Sequence, residues 1–294
     1  MALFKGTATA LITPFRNEKI DYVSLGKLVE WQLKCGVDAL VVCGTTGEAS
    51  TLSGRERVQL THFVVDLVKG RVPVIAGTGS NNTRFTTELS KEMEDIGADG
   101  LLVVTPYYNK CTDTGMISHY EKIADNVEIP MILYSVKSRT GVNISPDVIR
   151  VLSMHPRISG IKEASGDIGQ VCEMATYISE DFAIYSGNDD MAIPIMALGG
   201  LGCISTVSNI IPQRYAQMTH DFLAGNTVEA ALEQIALKPL IDAMFAEVNP
   251  IPLKAALNIM GLCELEYRLP LCPPSNKTQY LLYNALREYG LVQK

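Results

Sequence analysis

The ten residues ISGIKEASGD, 158–167, put a lysine where a buried strand should end. Ile158 and Gly160 lead inward, Lys162 follows near the strand's carboxyl end, and Ala164, Ser165 and Gly166 make a turn. Strand alternation turns Glu163 to the opposite face, so Lys162 has no acidic neighbour on its own. A lysine amine kept from water favours its neutral form, which attacks a carbonyl carbon and closes an imine. The plainer reading is a lysine that reaches solvent or meets a carboxylate from another strand.

Other stretches offer polar groups of matching chemistry. YSVKSRTG (134–141) supplies Tyr134, whose phenol would carry protons to and from an imine on the adjacent strand, or would sit in the core with its hydroxyl at the rim. Arg139, just beyond, suits two-point binding of a carboxylate, or stands solvated in its loop. GTTGE (44–48) places the Thr45 and Thr46 hydroxyls beside turn amides, a cradle for a small carboxylate. It reads equally as an ordinary turn with Glu48 as a helix-cap partner. TPYYN (105–109) and SGND (186–189) close two further apolar runs. The histidines, 62, 119, 155 and 220, fall in helices or at helix ends, which disfavours a His-based metal site or triad. Asp189 and Asp190 read as a helix cap rather than as metal ligands.

Such groups need strand ends to bring them together. Eight β-branched apolar runs alternate with helical stretches: TATALIT, ALVVCG, VPVIAGT, GLLVVTPYY, PMILYSV, ISGIKEA, AIYSGN and CISTVSN. Helices are expected near 21–36, 55–69, 82–97, 114–126, 145–154, 167–178 and 190–199. That rhythm is α/β and predicts a (β/α)8 TIM barrel, with functional side chains at the carboxyl ends of its strands. The rival is an open doubly wound sheet. It usually carries a glycine-rich phosphate loop after the first strand, and ITPFRNEKID stands there instead. The expected division is a catalytic barrel over 1–225 and a C-terminal helical extension over 226–294.

Composition narrows the class further. The 294 residues are 47% hydrophobic, enough for a large core, and a formal charge of −7 argues against nucleic acid as a partner. Seven cysteines, odd in number and without a C-x-x-C, suggest neither a disulfide framework nor a cysteine zinc site. MALFKGTATALITPF is broken by Gly6 and Pro14 and makes a poor signal peptide, and no apolar run is long enough to span a membrane. A cytoplasmic protein is expected.

Taken in order, GTTGE, TPYYN, SRTG, GIKEASG, SGND, GGLGCIS and NPIPLK resemble the pyruvate-dependent class I aldolase family of dihydrodipicolinate synthases and N-acetylneuraminate lyases, over nearly the whole chain. The arginine of SRTG resembles the synthase branch. The resemblance implies a Schiff base between Lys162 and pyruvate, with Thr45 and Thr46 receiving the pyruvate carboxylate. It further implies a proton relay of Tyr134, Thr45 and Tyr108, and Arg139 binding the carboxylate of aspartate β-semialdehyde. Gly187 and Ile204 would line the pocket through backbone groups. No metal or other cofactor is implied, and the expected assembly is a homotetramer, a dimer of dimers in which Tyr108 completes its neighbour's relay. The alternatives are another pyruvate aldolase acting on a 2-keto sugar acid, or a non-catalytic protein on an aldolase scaffold.

Two departures from the family pattern carry expectations. The family usually reads YNVPSRTG, and Ser135 and Lys137 stand in place of Asn and Pro, which gives the loop carrying Arg139 more freedom. Many members of the synthase branch are inhibited by lysine. Asn81 and Tyr107 fit that effector's site, whereas Gly54, Arg57 and Phe85 replace its usual polar and acidic groups, so insensitivity to lysine is expected.

Overall fold

The computed structural model describes residues 2–293. Eight parallel strands close on themselves: β1 (Gly6–Ala10), β2 (Ala39–Val42), β3 (Val74–Gly77), β4 (Gly100–Val104), β5 (Met131–Ser135), β6 (Ile158–Glu163), β7 (Ala183–Ser186) and β8 (Gly202–Ser205). Each pairs with its neighbour in sequence, and β8 closes on β1, with Gly6 opposite Gly202 and Ala8 opposite Ile204. This is the expected (β/α)8 barrel.

Alternation along each strand sorts its side chains into two layers. Ala39 and Val41 of β2, with Ile132 and Tyr134 of β5, fill the barrel interior. Leu40, Val42, Met131 and Leu133, one residue out of phase, pack outward against the helices. The same period aims Lys162 inward and leaves Glu163 facing the other way.

The helices start where short polar side chains can satisfy their first amides. Asp21, Asn82, Thr112, Ser145 and Asp167 each accept a backbone N–H of the helix that follows. Ser53 and Glu56 form a reciprocal capping box at the start of Gly54–Val68. Glu48 stands at the N-cap position of the short 3-10 turn Ala49–Thr51 that follows GTTGE, but its side chain makes no capping hydrogen bond there. The strands also stop earlier than the apolar runs suggest. β4 ends at Val104, because Pro106 has no N–H to extend the ladder after the Thr105 amide bonds to the Tyr134 carbonyl.

Beyond the eighth barrel helix, Pro212–Leu223, lie Thr227–Met244, Ile251–Ile259 and Asn276–Glu288. Leu237, Leu240, Leu257 and Leu282 from these helices share one apolar cluster with Ile12, Val207 and Met218 of the barrel. This packing carries the segment around Asn249 and Lys254 back over the barrel mouth.

Candidate active site

β5 and β6 run in register with Tyr134 opposite Lys162, and alternation sends both side chains inward. Lys162 is only 5% exposed, and its Nζ lies 4.4 Å from the centroid of the Tyr134 ring. On its other side it is paired with Tyr185 of β7, whose hydroxyl donates to the Phe4 carbonyl and closes the barrel below. Gly187 makes the room: a Cβ there would stand 3.1 Å from the lysine Cε and 2.8 Å from the Ala164 Cβ. Ile204 of β8 is fully buried in the same interior layer.

Asp189 lies behind this lysine but caps a different element from the one expected. Its carboxylate accepts from Ser205 Oγ at 2.5 Å and from the Thr206 and Val207 amides at 3.1 and 3.2 Å, so it fastens the turn after β8 rather than its own helix. Burial pushes its carboxyl group up, against the pull of these donors and of the Lys162 charge. Asp190 faces Lys238 instead, at 3.9 Å. Among the described residues no group of three His, Cys, Asp or Glu side chains could hold a metal ion.

Over the strand ends opens a cavity of about 770 Å³, and Thr45, Tyr134, Tyr108 and Arg139 all line it. Four side chains from β2, β4, β5 and their loops thus meet in one space. Thr46 is placed differently. It is buried behind Thr45, with its Oγ1 3.4 Å from Thr206 Oγ1 and accepting from Asn249 Nδ2 at 3.0 Å. Tyr108 is 92% exposed and holds a left-handed backbone, φ 69°, uncommon for an aromatic residue.

The loop carrying Arg139 is more ordered than the exchange of proline for Lys137 suggests. Lys137–Thr140 closes one helical turn, ended by Gly141 at φ 68°, where a residue with a Cβ would be strained. Arg139 Nη2 donates to the Asn249 carbonyl at 2.9 Å. Asn249 therefore holds Arg139 with its backbone and Thr46 with its side chain. Reading the chain as strands and helices passed over this residue, although it opens NPIPLK; its partners lie more than a hundred residues away in sequence.

The same segment supplies a second contact that local pattern did not reveal. Lys254 donates to Glu48 Oε1 at 2.5 Å, with both side chains wholly buried, and its Nζ also lies 4.4 Å from the Phe15 ring centroid. Burial lowers the Lys254 pKa, and Glu48 opposes that shift. The pair clamps GTTGE to NPIPLK.

A closed parallel barrel whose cavity lies over the strand carboxyl ends, lined by a phenol, hydroxyls and a guanidinium, with Lys162 packed against that phenol but outside the lining, defines a barrel enzyme of the lyase class. Comparison with known proteins fixes which. The model of the dihydrodipicolinate synthetase family matches residues 3–289. A 4-hydroxy-tetrahydrodipicolinate synthase of Thermoanaerobacter sp. (strain X514) is 49% identical over 295 aligned positions, covering 100% of this chain and 99% of that protein. The crystal structure of dihydrodipicolinate synthase from Thermotoga maritima superposes with a TM-score of 0.97 at 43% identity, covering 99% of this chain and 100% of the other. A chloride-inhibited dihydrodipicolinate synthase from Acinetobacter baumannii, solved as a complex with pyruvate, gives 0.96 at 41% identity, covering 98% and 99%. The chain belongs to the dihydrodipicolinate synthetase family.

Proposed function

We infer that this enzyme condenses pyruvate with aspartate β-semialdehyde to give 4-hydroxy-tetrahydrodipicolinate, the branch step toward diaminopimelate and lysine. The observation that carries the chemistry is Lys162, buried against Tyr134 beneath a cavity lined by Thr45 and Arg139. The Lys162 amine adds to the pyruvate C2 carbonyl and loses water, forming an imine whose carboxylate is received at the turn of Thr45 and Thr46, the Thr46 hydroxyl itself being held by Asn249. A methyl proton leaves through Tyr134, Thr45 and Tyr108, and the resulting enamine carbon attacks the aldehyde carbon. The amino group of the new chain then attacks C2 and displaces Lys162, which closes the ring and frees the enzyme. The protonated imine is the electron sink, so the chemistry calls for no added cofactor. Gly187 and Ile204 shape the pocket, residues 1–225 form the catalytic barrel and 226–294 the extension that carries Asn249 and Lys254 to it. The enzyme works in the cytoplasm.

Arg139 distinguishes this reading from an aldolase acting on sugar acids. Arg139 is exposed in the free enzyme, and Arg139→Ala is expected to cost about 2–5 kcal/mol in kcat/KM for the semialdehyde, the range for truncating one partner of a charge contact that the bound substrate encloses, and to leave imine formation with pyruvate nearly unchanged. Steady-state rates and borohydride trapping measure the two halves separately. Equal loss of both would mean that Arg139 holds its loop rather than the second substrate.

Tyr108 favours an assembly. A nearly fully exposed aromatic on a left-handed backbone at the cavity mouth is suited to completing a neighbour's relay, in a dimer paired into a homotetramer. Sedimentation at assay concentrations should give that species, and Tyr108→Phe should reduce kcat while the assembly persists. A monomer with full activity would refute the shared relay.

Insensitivity to lysine follows from Arg57 and Phe85. Arg57 lines the cavity beside Tyr107, where it repels an ammonium group. Phe85 packs near Gly54 in the neighbouring groove and offers no carboxylate. Titrating lysine to several millimolar in a coupled assay should leave the rate unchanged. Inhibition below millimolar concentration would show a compensating acidic group.

A further inference from the structure

Asn249 stands where the C-terminal extension returns over the barrel mouth, 6% exposed and among the residues that line the cavity. Its neighbours fix its place. The helix Ile251–Ile259 begins two residues on, and Lys254 of that helix is clamped to Glu48 of GTTGE at 2.5 Å. The Asn249 carbonyl accepts from Arg139, and its side-chain Nδ2 donates to Thr46 Oγ1 at 3.0 Å, while Oδ1 is enclosed without a partner. Among the described residues, the bond to Thr46 is the only one that this side chain makes.

An amide nitrogen donates and does not accept, so this contact occupies a lone pair of the Thr46 oxygen and turns the threonine's own proton elsewhere. Among the described residues, the other oxygen that meets it is Thr206 Oγ1, at 3.4 Å, which is long for a pair of hydroxyls. A carboxylate, which only accepts and carries charge, is the better partner for that proton. We propose that Asn249 is a positioning residue for the first substrate: its side-chain amide fixes Thr46 as a hydrogen-bond donor toward the pyruvate carboxylate. The inference rests on the reading of Thr46 as a receiver of that carboxylate. Its effect is separable from the hold on Arg139, because a side-chain substitution removes the amide and leaves the backbone carbonyl in place.

Asn249→Ala provides the test. The pyruvate concentration that half-saturates borohydride trapping should rise about tenfold, the scale for weakening one hydrogen bond to a charged group, with the semialdehyde KM staying within about twofold of the parent. Thr46→Val removes the hydroxyl and should weaken trapping to a similar degree. The double variant should be no worse than Thr46→Val alone, because Asn249 acts through that hydroxyl. A residue that merely held its segment in place would add its own loss to that of Thr46→Val, and would raise the semialdehyde KM through Arg139; either result overturns the proposal. Should Asn249→Ala fail to fold, Asn249→Ser, also too short to reach Thr46, serves in its place. Parental trapping in Asn249→Ala, with Thr46→Val impaired, overturns the inference and leaves the reading of Thr46 standing. A Thr46→Val variant that traps pyruvate as the parent does removes that reading and the inference with it. If no adduct forms at Lys162, calorimetry of pyruvate binding makes the same comparison.

Discussion

Lys162→Arg is expected to abolish trapping: the parent, treated with pyruvate and borohydride, gains one reduced pyruvyl group per chain on Lys162, and the variant gains none. Arginine keeps the positive charge and most of the bulk but cannot lose its proton at accessible pH, so it has no lone pair with which to attack a carbonyl. Condensation should fall by on the order of 10⁴-fold or more, the scale seen when a covalent nucleophile is removed. The site has little tolerance for a longer group, since Gly187 approaches the lysine Cε closely. Lys162→Ala with added small amines controls for this and should return a measurable fraction of the rate. Mass spectrometry of the trapped protein decides the matter, and a label on another lysine would sink the mechanism.

Breaking the buried clamp should have the next largest effect. Lys254→Met leaves Glu48 enclosed without its cation, with the Arg268 amide, 3.3 Å from its Oε2, as its remaining donor. Removing one partner of such a pair costs about 3–5 kcal/mol, mostly the penalty of the stranded charge. The double variant Glu48→Gln with Lys254→Met removes both charges and should regain more than half of that loss. Urea unfolding of parent, singles and double gives the coupling directly. Because Glu48 ends GTTGE, the Lys254 variant should also raise KM for pyruvate by loosening Thr45 and Thr46. Stability losses that simply add would mean that the two residues do not act as a pair.

Much of the candidate site could be read from the chain because strand chemistry is local. The period-2 alternation in ISGIKEASGD already turned Lys162 inward and Glu163 away, and the barrel follows from eight such runs spaced by amphipathic helices. The convergence of Thr45, Tyr134, Tyr108 and Arg139 then follows from the barrel itself, which gathers strand ends at one face. The likeness to a known family named the substrates that those groups would take.

Local pattern had no hold on contacts between distant segments. Asn249 reaches Arg139 and Thr46, Lys254 reaches Glu48, and Asp189 caps the turn after β8 rather than its own helix. Each joins residues whose spacing obeys no helix or strand period, so only the packed chain brings them together. The turn at Lys137–Thr140 is of the same kind, held from outside by Asn249. Charge shows the division most plainly. Sequence by itself determined that Arg57 is a cation in the helix that follows GTTGE, whereas the tertiary structure decided that it is buried and that Glu48 and Glu56 are paired with other cations. The cost of a charge depends on its surroundings, and those are set by the fold.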